Sequence, residues 1–248
     1  ILCLVPFYLI LVGSFTSEST IVKEGYSFFL TVKNFSTEAY HLALKNPQSI
    51  LHAYGVTIFV TVVGTLLSIF MTTMTGYVLS RPDFPWRNGI SFFFFFTTLF
   101  NGGLVPWYLL CTQYLNFNNH IYSLIIPGLF SVWNMIIAKS FMKGIPFEIT
   151  EAAKIDGANA WQKFRYITLP LLKPTTVYVI TISVFAGLSM FLESFMIWGG
   201  NGSPKNIGLT IVGYLYRRGI EKNEMGYACA VGVVLMVIAL VINFIQLI

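Results

Sequence analysis

Side chains able to do chemistry are sparse in this sequence, and most of them fall in one stretch. Residues 148–174 read EITEAAKIDGANAWQKFRYITLPLLKP and hold Glu148, Glu151 and Asp156 ahead of Lys163, Arg165 and Lys173. Carboxylates without a histidine or a nucleophile beside them point to ion pairing, not to catalysis. Glu193 stands alone in an apolar run. A carboxylate at the centre of a bilayer costs about 2.5–3.5 kcal/mol on insertion scales, so Glu193 should face a wet cavity or the interior of a helix bundle. His41, His52 and His120 are isolated, and Cys3, Cys111 and Cys229 show no metal-ligand spacing. The cysteines lie in or beside apolar segments and read as small buried hydrophobes. No catalytic residues and no metal site are expected. The phosphate-binding loop G-x-x-x-x-G-K-[ST] is absent, so the chain is not expected to hydrolyse ATP.

The elements that must position these groups are membrane spans. Hydrophobic residues make up 56% of the sequence and charged residues 10%, against about a quarter charged in soluble domains. Several windows run about 20 residues almost without charge, enough to cross the ~30 Å hydrocarbon layer as a helix. This predicts an all-α membrane protein with six spans, at about 1–13, 54–79, 90–110, 121–138, 175–198 and 227–248, in a single transmembrane domain covering 1–248. Both ends fall inside apolar runs. The first segment has no basic leader and no small-residue cleavage site, so it reads as a clipped first span instead of a signal peptide, with both termini trimmed.

Between the spans, Ser36 or Thr37 is placed to cap a short helix through Tyr40 and Leu44. Arg81 to Pro85 forms a turn, since its two prolines end a helix. Thr112 to His120 is a polar link. Gly199 to Pro204 is a glycine-rich turn, followed by a short interfacial helix carrying Tyr214 and Tyr216. The net charge of +5 is modest and has no dense basic stripe, which excludes a nucleic-acid surface and suits loops beside anionic lipid. Arg81, Arg87, Lys139, Lys143, Lys154, Lys163, Arg165 and Lys173 are denser along the chain than the other basic residues. The positive-inside rule therefore puts their loops, including 139–174, in the cytoplasm and 14–49 outside.

The polar stretch itself predicts a helix–turn–helix. Pro146 suits a first turn, and Glu148 and Glu151 then favour the helix dipole. Ile145, Ile149, Ala152 and Ala153 give a small apolar stripe. Gly157, after Asp156, is free to take the left-handed position that ends a helix. Asn159 caps a second helix with Gln162 as its reciprocal partner, and that helix carries Trp161, Phe164, Tyr166 and Ile167 and stops at Pro170. Two uses remain open on physical grounds: an amphipathic anchor at the membrane surface, or a small-faced helix that admits close approach by another protein.

Glu151-Ala152-Ala153, Asp156-Gly157-Ala158, Phe164, Ile167, Leu169 and Pro170 match the pattern EAA-x-x-DGA-x-x-x-x-x-F-x-x-I-x-LP. In this the sequence resembles the binding-protein-dependent permeases of ABC importers. The resemblance extends over nearly the whole chain. Residues 57–81, the Gly199–Pro204 turn, Tyr214 to Arg217 and Gly226 to Ala228 are similar to the sugar-importing subfamily. Phe100-Asn101-Gly102-Gly103-Leu104 with Pro106 resembles a branch importing oligosaccharides, including those of acidic polysaccharides such as pectin or alginate.

That resemblance implies a type I importer permease arrangement, with 139–174 as a cytoplasmic coupling loop. Glu148, Glu151, Ala152, Ala153, Asp156 and Gly157 would then be the coupling residues. Glu151 would pair with a basic residue of a separate ATPase, the alanines would pack closely, and Gly157 would turn the chain. The implied partners are a second homologous permease, two cytoplasmic ATPase subunits that bind ATP and Mg, an extracytoplasmic solute-binding protein, an oligosaccharide and membrane lipid. The implied location is a bacterial plasma membrane.

Sugars are held by aromatic platforms and amide hydrogen bonds, because a sugar ring has an apolar face and polar edges. This makes Asn101, Trp133, Asn134 and Glu193 pathway candidates. Glu193 can equally serve an interhelical hydrogen bond or stand exposed near a span end. Trp107 and Trp198 read first as interfacial anchors. A stand-alone secondary transporter or channel is the alternative, weighed down by six spans without broken-helix pairs or Asp/Lys relays. A membrane enzyme ranks below it.

Overall fold

The protein is described by a computed structural model covering residues 2–45, 47–100, 102–117, 119–144, 147–200 and 202–247. These residues are predominantly helical, with one isolated bridge between Thr16 and Phe35. In chain order the helices are α1 (Val5–Ser14), α2 (Glu18–Glu24), α3 (Glu38–Lys45), α4 (Pro47–Ser80), α5 (Arg87–Leu99), α6 (Leu104–Leu109), α7 (Val132–Lys143), α8 (Phe147–Ile155), α9 (Ala160–Lys163), α10 (Leu169–Leu171), α11 (Lys173–Leu188), α12 (Leu192–Ile197), α13 (Ile211–Tyr216) and α14 (Met225–Leu247). The chain divides into two units, one of residues 1–60, 118–121 and 185–248, the other of 61–117 and 122–184.

In the first unit, Ala53 of α4, Leu209, Ile211 and Tyr214 pack with Tyr227 and Val231 of α14. Polar groups in this core are paired, as burial requires. The Tyr214 and Tyr227 hydroxyls lie 2.8 Å apart, and the Ile211 N–H donates to Thr57 Oγ1 at 2.8 Å. The segment between α1 and α4 is tied down at several points. The Ser17 N–H donates to the Asn34 carbonyl at 3.0 Å and the Ser36 N–H to that of Phe15 at 2.8 Å. As expected, Ser36 Oγ accepts from the Glu38 N–H at 3.1 Å at the start of α3. Glu18 of α2 accepts from the Met225 and Gly226 N–H groups at 2.6 and 2.9 Å, which caps the start of α14 from a distant part of the chain.

The second unit holds the rest of α4 together with α5 to α10 and α11 as far as Val184. Along α4, Thr61, Thr65, Ser68 and Thr72 are all buried. Their spacing of three and four residues puts them on one helix face.

The six apolar segments are helical, but among the described residues only α4 and α14 are single helices long and apolar enough to cross a membrane. Among the described residues the number of spans rises to 5 when each bent pair counts as one, and residues 2–14 form a shorter apolar helix. The third segment is interrupted between α5 and α6, where Gly103 has a φ of +84°. Residues placed in a polar link continue the helix instead, as a π turn at Leu110–Tyr114 with Cys111 and Thr112 buried. The fourth begins with 3-10 turns at Ile121–Leu124 and Ile126–Gly128 and bends by 46° into α7. The bend falls over residues 129–131, directly after Pro127 and Gly128.

The fifth segment also departs from one unbroken span. It stops at Leu188 and resumes at Leu192. Thr210 Oγ1 donates to the freed Met190 carbonyl at 2.7 Å, and Ser189 Oγ donates to that of Phe185 at 2.9 Å. Irregular backbone at membrane depth persists only where such groups are satisfied or line a cavity. The absence of broken-helix pairs, used above against a secondary transporter, therefore does not hold. The helix expected from Ile207 to Tyr216 is confined to Ile211–Tyr216 with Thr210 as the cap, and Tyr214 is buried in the protein.

Candidate functional site

The polar stretch folds as the helix–turn–helix that its residues predict. Ile145 and Pro146 lie outside the described residues, as does the side chain of Glu148. Helix α8 presents Glu151 and Ala152 to solvent and holds Ala153 half-buried. Its end is closed by backbone bonds. The Asp156 N–H donates to the Ala152 carbonyl and the Ala158 N–H to that of Ala153, both at 2.9 Å. Gly157 between them has a φ of +80°. This is the Schellman closure, which needs a left-handed residue just past the helix. The next helix starts with the expected reciprocal cap. The Gln162 N–H donates to Asn159 Oδ1 and the Asn159 N–H to Gln162 Oε1, each at 2.8 Å. The helix does not stop at Pro170. A π turn over Phe164–Thr168 absorbs the register change, and α10 carries the proline within it.

A cleft of about 370 Å³ opens between the two arms, lined by Ala153, Asp156, Gly157, Gln162, Lys163 and Tyr166 among others. Around it, Ile155 is 87% exposed, Trp161 68% and Tyr166 74%. Large apolar side chains exposed beside carboxylates are of the kind that meet a protein partner or a membrane surface. At its base the hairpin is fastened to α4. Phe164 meets the Tyr77 ring edge-on at 6.0 Å and the Trp161 ring at 5.8 Å. The Arg81 guanidinium lies 4.7 Å over the Tyr77 ring and donates to its hydroxyl. From α10 the chain turns into α11, with a bend of 69° between residues 161–171 and 173–188. The arrangement suits passing a push from the exposed arm to α4 and α11. Tyr77 and Arg81 were missed in the sequence. Their i, i+4 spacing was the available signal, but nothing local announced Phe164 as their partner.

The remaining candidates are dispersed. Glu193 is half-buried in the first turn of α12 and has no ion pair or hydrogen bond from its side chain among the described residues. Trp133 is 66% exposed while Asn134 is buried. Adjacent helix residues do not face each other, so these two do not form one platform. Asn101 lies outside the described residues. Trp107 is half-buried. Trp198 does not stand free as an anchor: a Cβ on Gly208 would fall 2.0 Å from its ring, so the indole lies flat against that glycine. His41, His52 and His120 are surface residues, and no group of three potential metal ligands occurs among the described residues.

A family model described as "Binding-protein-dependent transport system inner membrane component" matches residues 65–248. The arabinooligosaccharides transport system permease protein AraP of Halalkalibacterium halodurans is 56% identical over 114 residues, 46% of this chain and 36% of the relative. The polygalacturonan/rhamnogalacturonan transport system permease protein YtcP of Bacillus subtilis is 35% identical over 185 residues, 75% of this chain and 62% of the relative. These alignments span less than two thirds of either relative's length. Among solved structures, a chain from the crystal structure of a bacterial ABC transporter involved in the import of the acidic polysaccharide alginate superposes with a TM-score of 0.85 at 22% identity. That match covers 98% of this chain and 89% of the other, and it is a likeness of fold.

Proposed function

Because this chain belongs to the family of binding-protein-dependent transport system inner membrane components, we propose that it is a permease subunit of an ATP-driven importer for oligosaccharides. It lines the pathway together with a second permease in a bacterial plasma membrane and alternates between inward-open and outward-open states. The observation that carries this reading is the α8–α9 hairpin, with its exposed Glu151 and Ala152, its open cleft and its fastening to Tyr77. One of two cytoplasmic ATPase subunits grips that hairpin. ATP and Mg are bound there and not in this chain. Glu151 pairs with a basic residue of the ATPase, and Ala152 and Ala153 admit its backbone or a bulky side chain.

A solute-binding protein delivers the sugar from outside, where the segment between α1 and α4 and the residues from 207 to 224 meet it. The names of the two relatives support an oligosaccharide as the cargo. Glu193 and Asn134, with Trp133 and Asn101, are the residues to test for contact with it. The hairpin distinguishes this proposal from a stand-alone transporter, which has no partner to dock there. The experiment is Glu151→Lys in the assembled transporter. We expect uptake to fall at least tenfold and the ATPase subunits to detach or run uncoupled, while the variant still inserts in the membrane. Uptake at the parental rate would overturn the coupling role.

A further inference from the structure

A second charged feature lies near the entry to the hairpin and is not used by the proposed function. Lys139 of α7 points at α5, and its ammonium donates to Ser91 Oγ. That hydroxyl in turn donates to the Arg87 carbonyl at 2.5 Å, and the Arg87 guanidinium reaches the Arg81 carbonyl at 3.5 Å. The charged neighbours whose fields reach Lys139 are Lys143 and Arg87, both cations. Among the described residues no carboxylate pairs with them: the ion pair is Arg218 with Glu224, and Asp83 in the adjoining turn is exposed and makes none. The first turn of α5 compounds the imbalance, because it holds Arg87 and no acid, and its cap residue Trp86 makes no side-chain bond. Helix N-termini favour negative charge, and among the described residues nothing supplies it here.

Ordinary positive-inside lysines stand in water, as Lys143 does. Lys139 is different. It is half-buried, and it sits one helical turn deeper than Lys143, about 6 Å along the axis. The surrounding surface is apolar and open: Trp86 is 70% exposed, and α5 has no buried residue. Cations between helices beside an exposed aromatic surface fit a phosphate that carries acyl chains.

We propose that Arg87, Lys139 and Lys143 form a site for the phosphate headgroup of an anionic phospholipid, held between α5 and α7 at the inner leaflet. The leaflet assignment rests on the inward orientation of the hairpin given under the proposed function. A lipid bound there braces the two helices next to the start of α8.

The test uses the whole transporter, reconstituted in nanodiscs with equal phosphatidylglycerol and phosphatidylcholine and released for native mass spectrometry. We expect phosphatidylglycerol to be retained over phosphatidylcholine. Retention should fall about tenfold in R87Q/K139Q and about threefold in K143Q, whose exposed side chain is safe to change. Millimolar inorganic phosphate should not displace the lipid. Equal retention of the two lipids, or retention unchanged in these variants, would overturn the site. Displacement by inorganic phosphate would show a free-anion site instead. A carbodiimide cross-link from Lys139 to a carboxylate of another subunit would show an inter-subunit ion pair. A membrane-impermeant amine reagent separates the two proposals. Labelling of Lys143 from the outer face would overturn the inner-leaflet assignment together with the proposed function. Lost lipid selectivity with labelling only from inside would overturn the lipid site alone.

Discussion

Gly157 is the residue on which the shape of the hairpin turns. Its φ of +80° is costly for any residue with a Cβ, about 1–2 kcal/mol for the left-handed region. An added Cβ would meet nothing within 4 Å, so the cost is backbone strain and not collision. Gly157→Ala should therefore lower uptake several-fold without loss of expression, and Gly157→Asn should be milder, because asparagine tolerates the left-handed region. Equal uptake by parent and Gly157→Ala would remove the turn from the mechanism. Glu18 offers the same kind of test far from the hairpin. It holds two N–H groups of α14, and charge-assisted bonds of this type are worth about 1.5–3 kcal/mol. Glu18→Ala should lower the thermal unfolding midpoint of the detergent-solubilised protein by several degrees, while Glu18→Gln should keep part of it. The roles of Gly157, Asn159 and Gln162 were legible because they are local: a glycine after a helix and a pair three residues apart. Glu18 was not legible, since its partner lies 207 residues away along the chain.

Among the elements, the hydrophobic runs marked where apolar helices occur but not where they break. The pause after Leu188 falls on Ser189, Met190 and Phe191, with no proline to announce it. What makes it tolerable is Thr210, which satisfies the Met190 carbonyl from 20 residues onward and also caps α13 by accepting from the Gly213 N–H at 3.2 Å. A hydropathy window cannot see such a pairing. Thr210→Val keeps the shape and removes both bonds. We expect it to destabilise the protein by about 1–3 kcal/mol, read as a lower midpoint in thermal unfolding, and to speed hydrogen exchange in residues 186–197. An unchanged exchange pattern would mean that the break is held by packing alone. The interruption after Leu99 was closer to legible, since Gly102, Gly103 and Pro106 stand there, but those residues read first as a family pattern.

For the whole molecule, composition decided the class of protein, because 10% charged residues cannot clothe a soluble surface of this size. The placement of charge along the chain then predicts the orientation. Everything functional in the account depends on that orientation, with the α8–α9 arm in the cytoplasm and seated on a separate ATPase. Ala152→Cys in a Cys3→Ser background probes it most directly, since Cys111 and Cys229 are buried. In the assembled transporter this cysteine should cross-link to the ATPase subunit, resist a membrane-impermeant thiol reagent added outside, and change its cross-linking yield with bound nucleotide. Labelling from outside, or no cross-link to the ATPase in any nucleotide state, would contradict the account.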